Sequence, residues 1–163
     1  MNVTDLLADV IRGPVHKRAI SNPAVLNEAY SYGSAFSRGV RIDLNGVAVL
    51  LISGTASIDE HGNTVHVGDL RAQVRRTFDN IAGLLASEGA TWHDVVRTTC
   101  YLRDIERDYE AFNEERAAFY QEQALDPLPA STGIQAILCR PDLLVEIEAI
   151  AILHCERQKL PAA

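Results

Sequence analysis

A chain of 163 residues fits a single domain, and at that size roughly 70% of the unfolded surface is buried on folding, so the core needs no metal or disulfide staple. Hydrophobic residues at 47% against 23% charged exclude a disordered chain, and 22 acidic against 15 basic residues leave a net charge of −7, which sets the surface against phosphate backbones and excludes a nucleic-acid partner from expectation. No apolar run nears the roughly 20 residues of a membrane span, the opening MNVTDLLADVIRGPVHKR lacks a basic-then-apolar leader pattern, and Cys100, Cys139 and Cys155 form neither a disulfide framework nor a zinc pair, so no membrane and a reducing cytoplasm are expected.

Residues 1–30 read as an extension packed on the domain, with a weak helix over Asp5–Ile11 stopped by Gly13-Pro14, residues 31–155 as the domain, and residues 156–163 as a tail. Ser31 to Ile42 is extended. Leu44-Asn45-Gly46 then predicts a tight hairpin, because Asn-Gly accepts the positive φ of a two-residue turn. Val47–Ile52 follows as an aliphatic run expected to be a central strand buried on both faces. Asp69 reads as the N-cap of a helix whose stripe is Leu70, Val74, Phe78, Ile81 and Leu85, with Gly89 as its stop.

Val95–Leu102 is a strand, with Val96, Thr98, Cys100 and Leu102 on one face and Val95, Arg97, Thr99 and Tyr101 on the other. A second helix spans about Glu106–Gln123, with Tyr109, Phe112, Phe119 and Tyr120 inward, broken by Pro127 and Pro129. Strands over Ser131–Leu138 and Leu143–Leu153 close the chain. The order ββ-α-β-α-ββ predicts an α+β fold: a mixed sheet, with antiparallel hairpins at its ends, carrying two helices on one face. The other face lacks a cover, and a closed symmetric oligomer is the natural solution.

Three features bear on chemistry. Alternation along Val145-Glu146-Ile147-Glu148 puts two carboxylates on one face, beside Ile150 and Ile152. Partial burial there would raise a carboxyl pKa and suit it to proton transfer near neutrality; a solvated edge, or ion pairs to Arg97 and Lys159, is the plainer alternative. Ser53-Gly54-Thr55, ending the most apolar strand, lets a ligand approach the backbone, or is simply a strand end with a bulge. Ser131-Thr132-Gly133 has the same character. No histidine pair has metal-ligand spacing, and phosphate-loop and dinucleotide fingerprints are absent, so neither metal nor cofactor is expected.

Taken in order, Ile52-Ser53-Gly54, Gly68-Asp69 before a helix with Gln73 and Asn80-Ile81, Gly89-Ala90, Asp94-Val95-Val96, Thr98-Thr99-Cys100-Tyr101-Leu102 with Asp104, Phe112-Asn113, Pro129-Ala130-Ser131-Thr132 and the closing Val145-Glu146-Ile147-Glu148-Ala149-Ile150-Ala151 resemble the Rid/YjgF family of enamine and imine deaminases, from about Gly33 to Ala151. The resemblance implies a chorismate-mutase-like α+β fold and a homotrimer with small-molecule clefts between subunits. It assigns Glu146 to water activation, Ser53 and Thr132 to the catalytic hydroxyl positions, and Asn113 and Phe36 to substrate binding. It also implies an arginine that pairs with the substrate carboxylate, and here Ala130 stands at that arginine's position. With Ala130 in place of that clamp, little or no hydrolysis of 2-iminopropionate or 2-aminoacrylate is expected, and Arg38 and Arg140 are the candidates for a relocated cation. The resemblance therefore leaves two functions open: a hydrolytic deaminase of a small enamine or imine, and a non-catalytic trimer that binds a small molecule or partner. A purely structural trimer is a weaker third, because it has no need of paired glutamates.

Overall fold

The computed structural model describes residues 15–28, 33–44 and 46–154; the helix expected at Asp5–Ile11 and the tail lie outside them. Among the described residues six strands form one sheet: β1 (His16–Ile20), β2 (Gly39–Leu44), β3 (Val47–Ala56), β4 (Val95–Leu102), β5 (Ala130–Gln135) and β6 (Val145–His154). Helix α1 (Leu70–Ala86) lies between β3 and β4, and α2 (Ile105–Glu122) between β4 and β5. The sheet order is β1-β2-β3-β6-β4-β5, all neighbours antiparallel except β4 and β5. The α+β class and the mixed sheet with two helices follow the sequence reading.

Local chemistry accounts for the elements. Leu44 pairs with Val47 across a two-residue turn, and Gly46 takes φ +88°, the left-handed conformation the Asn-Gly dipeptide foretells. Asp69 caps α1 by accepting from the Ala72 amide, and Asp104 caps α2 by accepting from the Arg107 amide. Val74, Phe78, Ile81, Leu84 and Leu85 of α1 are fully buried against Leu50, Ile147 and Ala151 of the sheet and Phe112 of α2. Phe78 stacks on Phe119 at 4.6 Å between ring centroids and meets Trp92 edge-on at 5.3 Å, an aromatic centre between helices and sheet.

Five details depart from expectation. Strand β1 has no counterpart in the sequence reading: its alternation is masked because His16, Lys17 and Arg18 are exposed on an edge. Arg18 pairs with the buried carboxylate of Glu88 just past α1, and Arg41 on β2 reaches the same carboxylate. The closing pair is not a hairpin, because β6 inserts between β3 and β4 and leaves β5 at the edge in parallel with β4. Val95 is buried and Val96 is exposed, the reverse of simple alternation, since the β4–β6 register shifts between Val95 and Arg97. Tyr109 is 48% exposed and lies beside Gly133 of β5, while Asp108 is buried, its carboxylate held by Arg107.

The fifth concerns β3, which is buried on one face only. Ala48, Leu50 and Ile52 enter the core, whereas Leu51 is 38% exposed on the face opposite the helices. That open face carries Val40 and Ile42 of β2, Leu51 of β3, Ile150 and Ile152 of β6, and, toward β5, Arg97, Thr99, Thr132 and Ile134. Among the described residues no helix is long and apolar enough to cross a membrane.

Candidate functional site

A cleft of about 510 Å³ opens where β3, β6, the 33–38 segment and the 136–144 connection meet. Ser34, Phe36, Arg38, Ser53, Gly54, Cys139, Arg140, Leu143, Glu146 and Glu148 line it. Its size is that of a small-molecule site. Five of the residues expected in a site therefore converge: Glu146, Ser53, Phe36, Arg38 and Arg140. Thr132 and Asn113 do not join them.

The β3–β6 pairing breaks its register between Ile52 and Thr55, so Ser53-Gly54 forms a bulge and the strand continues to Ala56. The dipeptide is thus an interruption within a strand, not a strand end. Two bonds fix it to the 33–38 segment: the Ser53 amide donates to Arg38 O at 3.1 Å, and the Ser53 hydroxyl donates to Ser37 O at 2.7 Å. With its proton committed, Ser53 Oγ offers lone pairs to a ligand N–H rather than a proton. Gly54 leaves a bare patch of backbone, and the carboxylate of Glu146 occupies it. A Cβ at Gly54 would collide with Glu146 Oε1.

Glu146 and Glu148 are half-buried on the open face, as strand alternation predicts. Burial, reinforced by the charge of Glu148, raises the Glu146 pKa above the usual carboxylate range. Tyr101, register partner of Glu146 on β4, is raised as well, first by burial and then by Glu148. The alternative of an ion pair to Arg97 is not realised: the partner of Arg97 is Thr132.

The cleft's arginines are held in place. Arg38 is 3% exposed, donates from Nε to Asn27 O at 2.8 Å and from Nη2 to Asn27 Oδ1 at 2.9 Å, and stacks over the Phe36 ring at 5.4 Å. Arg140 Nη1 donates to Gly62 O at 2.7 Å. They form a positive wall and brace the segments that carry it. On the far side Gln73 of α1, wholly buried, donates to His66 O and Asp142 O and accepts from the Leu144 amide. It clamps the connection that bears Cys139 and Arg140. Asn80, two turns further along the same face of α1, donates to Ala56 O and Ile58 O.

Thr132 and Asn113 belong to the β5 edge. Thr132 accepts from Arg97 Nη2 at 3.0 Å on the open face. Asn113 Oδ1 accepts from Arg116 Nη2 at 2.6 Å on the helix face, where Arg116 also reaches Ser131 Oγ at 3.0 Å. Ala130 is exposed at the start of the strand. The sequence reading missed Ser34 and Cys139, which reach the cleft only through the loop path, and the partnership of Arg97 with Thr132, which rests on the parallel β4–β5 register. No group of three or more His, Cys, Asp or Glu among the described residues is placed to hold a metal.

Comparison with known proteins places the family and the fold. The Endoribonuclease L-PSP family matches residues 28–153. The 3-aminoacrylate deaminase RutC of Acinetobacter baylyi is 35% identical over 103 residues, which span 63% of this chain and 78% of RutC. The crystal structure of the YjgF gene product from E. coli matches with a TM-score of 0.68 at 24% identity, covering 83% of this chain and 98% of that one. YyfA from Yersinia pestis, a protein of unknown function in the conserved Rid family, matches with a TM-score of 0.67 at 25% identity, again over 83% and 98%.

Proposed function

The chain belongs to the Endoribonuclease L-PSP family, the Rid/YjgF proteins, and from that premise we propose that it hydrolytically deaminates a small enamine or imine in clefts shared between the subunits of a homotrimer with the chorismate-mutase-like fold. The observation that carries this reading is Glu146: a carboxyl with a raised pKa, seated on the bare backbone of Gly54, in a cleft that also holds Ser53. Water adds to the imine carbon as Glu146 takes its proton; Glu146 returns that proton to nitrogen, and the carbinolamine collapses to a carbonyl and ammonia. An enamine enters the same route by tautomerising, gaining a proton at carbon and losing one from nitrogen to give its imine. Ser53 Oγ accepts the substrate N–H, Phe36 supplies an apolar wall, and Arg38 and Arg140 bias the cleft toward an anionic substrate.

The open sheet face supports association between copies, and it would bring Thr132 of one copy to the cleft of the next, whereas Asn113, on the helix face, would approach only around the β5 rim. The RutC relative acts on 3-aminoacrylate by its name, which supports a small amino- or imino-acid as substrate. The family's name refers to an endoribonuclease, but a chain of net charge −7 with two glutamates in its cleft is set against an RNA backbone, so no nucleic-acid partner is proposed. Nor does the proposed step call for a metal or cofactor. A cytoplasmic location is part of the same proposal.

One feature favours a second reading, a trimer that binds without turnover: Ala130 presents no charge where the resemblance implies an arginine. The deciding measurement follows carbonyl product from 2-iminopropionate, made in situ by an amino-acid oxidase, and from 3-aminoacrylate. Because Arg38 and Arg140 both line the cleft, the expected result, against the expectation from Ala130 alone, is enzyme-dependent release that falls about 10²–10⁴-fold in Glu146→Gln with the oligomer intact. Binding of the same compounds with no release in the wild-type protein would establish the second reading instead.

A further inference from the structure

We infer that Arg97, acting from a neighbouring copy of the chain, is the residue that holds the substrate's carboxylate, with Thr132 as its second donor. This deepens the function proposed above and rests on it.

The parallel β4–β5 register sets Arg97 level with Ala130 and Thr99 level with Thr132. Side chains at matching positions of paired strands share a face, so the guanidinium of Arg97 lies over the spot that a side chain longer than the Ala130 methyl would fill. Arg97 is exposed, and Thr132 is its one hydrogen-bond partner among the described residues. One of its five N–H donors is used, leaving an open edge suited to a planar, bidentate anion. Thr132 Oγ accepts from Arg97, so its own O–H points elsewhere and offers the anion another donor. Arg38 and Arg140 are poorer candidates, because each spends its donors on backbone carbonyls that position the cleft walls.

The subunit assignment follows from distance. Glu146 is level with Tyr101, four residues along β4 from Arg97, which is about 13 Å. A small imino acid cannot span from Glu146 to Arg97 of the same chain. On the open face, through which copies associate in the proposed trimer, Arg97 and Thr132 of one copy can enter the cleft of another. The ligand class is a compact monocarboxylate, since one guanidinium and one hydroxyl satisfy one planar anion.

The test uses the full-length protein and two probes, pyruvate and its neutral amide, with binding followed by calorimetry, beside turnover of 2-iminopropionate. The expected result for Arg97→Met is a loss of pyruvate affinity and a rise in KM of roughly 10- to 100-fold, with kcat changed far less and amide binding unchanged. Ala130→Arg added to that variant is expected to restore pyruvate binding, because it delivers a guanidinium to the same level of the sheet. At substrate far below the raised KM of Arg97→Met, co-expressed Arg97→Met and Glu146→Gln chains are expected to exceed the activity of either variant alone, since mixed oligomers contain some clefts with both wild-type groups. Wild-type pyruvate affinity in Arg97→Met overturns the proposal, and so does failure of the two variants to complement. A wild-type protein that binds pyruvate through Arg97 but releases no product removes the deaminase reading and leaves the carboxylate site standing. One that neither binds nor turns over removes both.

Discussion

Gly54 is where a single missing side chain does most for the cleft. The backbone there serves as the floor for the Glu146 carboxylate, so Gly54→Ala must push that carboxylate aside. The expected outcome is loss of turnover comparable to Glu146→Gln, with a circular-dichroism spectrum like the wild type, because a bulge residue of this kind carries little of the core. Glu146 also makes a prediction about pH. Its carboxyl is raised in the folded state by burial and by Glu148, so folding favours the protonated form. The penalty for ionisation is absent below the ordinary carboxylate range and complete above the folded-state pKa, so this group's contribution to stability falls as pH rises through that window. Glu146→Gln should therefore melt at a higher temperature than wild type at neutral pH, and the two melting curves should converge near about pH 4. A lower melting temperature for the variant at pH 7 would mean that the carboxylate is held by a stabilising ion pair. At this scale the sequence was informative wherever strand alternation decides the face: Glu146 and Glu148 could be placed from period two alone. Cys139 and the Arg97–Thr132 pair could not, because a loop path and a parallel register between distant segments place them.

Helix α1 illustrates how an element can build a site it does not touch. Its apolar stripe was legible from spacing, but the same face carries two buried amides, and each collects carbonyls from a different wall of the cleft. Gln73→Leu keeps the volume and leaves His66 O, Asp142 O and the Leu144 amide without their partner. A cost of about 3 kcal/mol or more in urea denaturation is expected, together with a raised KM as the connection carrying Arg140 loosens. Elements with a strong period and a cap were readable to within a residue or two; α1 begins where Asp69 says it should. Those that departed share a cause. Strand β1 is an edge whose exposed side chains hide its alternation, and Val95 and Val96 exchange faces because a bulge adds a residue to the count. The placement of β6 between β3 and β4 is a topological choice that no local pattern records.

At the scale of the molecule, one sheet face is covered by α1 and α2, and the other carries no helix among the described residues. Leu51 and Ile152, 38% and 44% exposed, lie on the uncovered face with Val40 and Ile42 close by in the register. Light scattering should give about three times 17.9 kDa, and Leu51→Lys, which plants a charge in that apolar field, should lower the mass at the same concentration. An unchanged mass in the variant would place the contact elsewhere on the surface. The bare face is legible in the sequence, where two strong helices are too few to cover both faces of a sheet. Which strand would stand at the rim was beyond that argument. It is β5, and all six of its residues are exposed, with β4 on one side and no strand among the described residues on the other. An unpaired rim of this kind is a template for adding further strands. Two such rims can pair with each other, so growth of larger species on standing is the outcome to watch for, and a charge introduced on β5 is the change expected to oppose it.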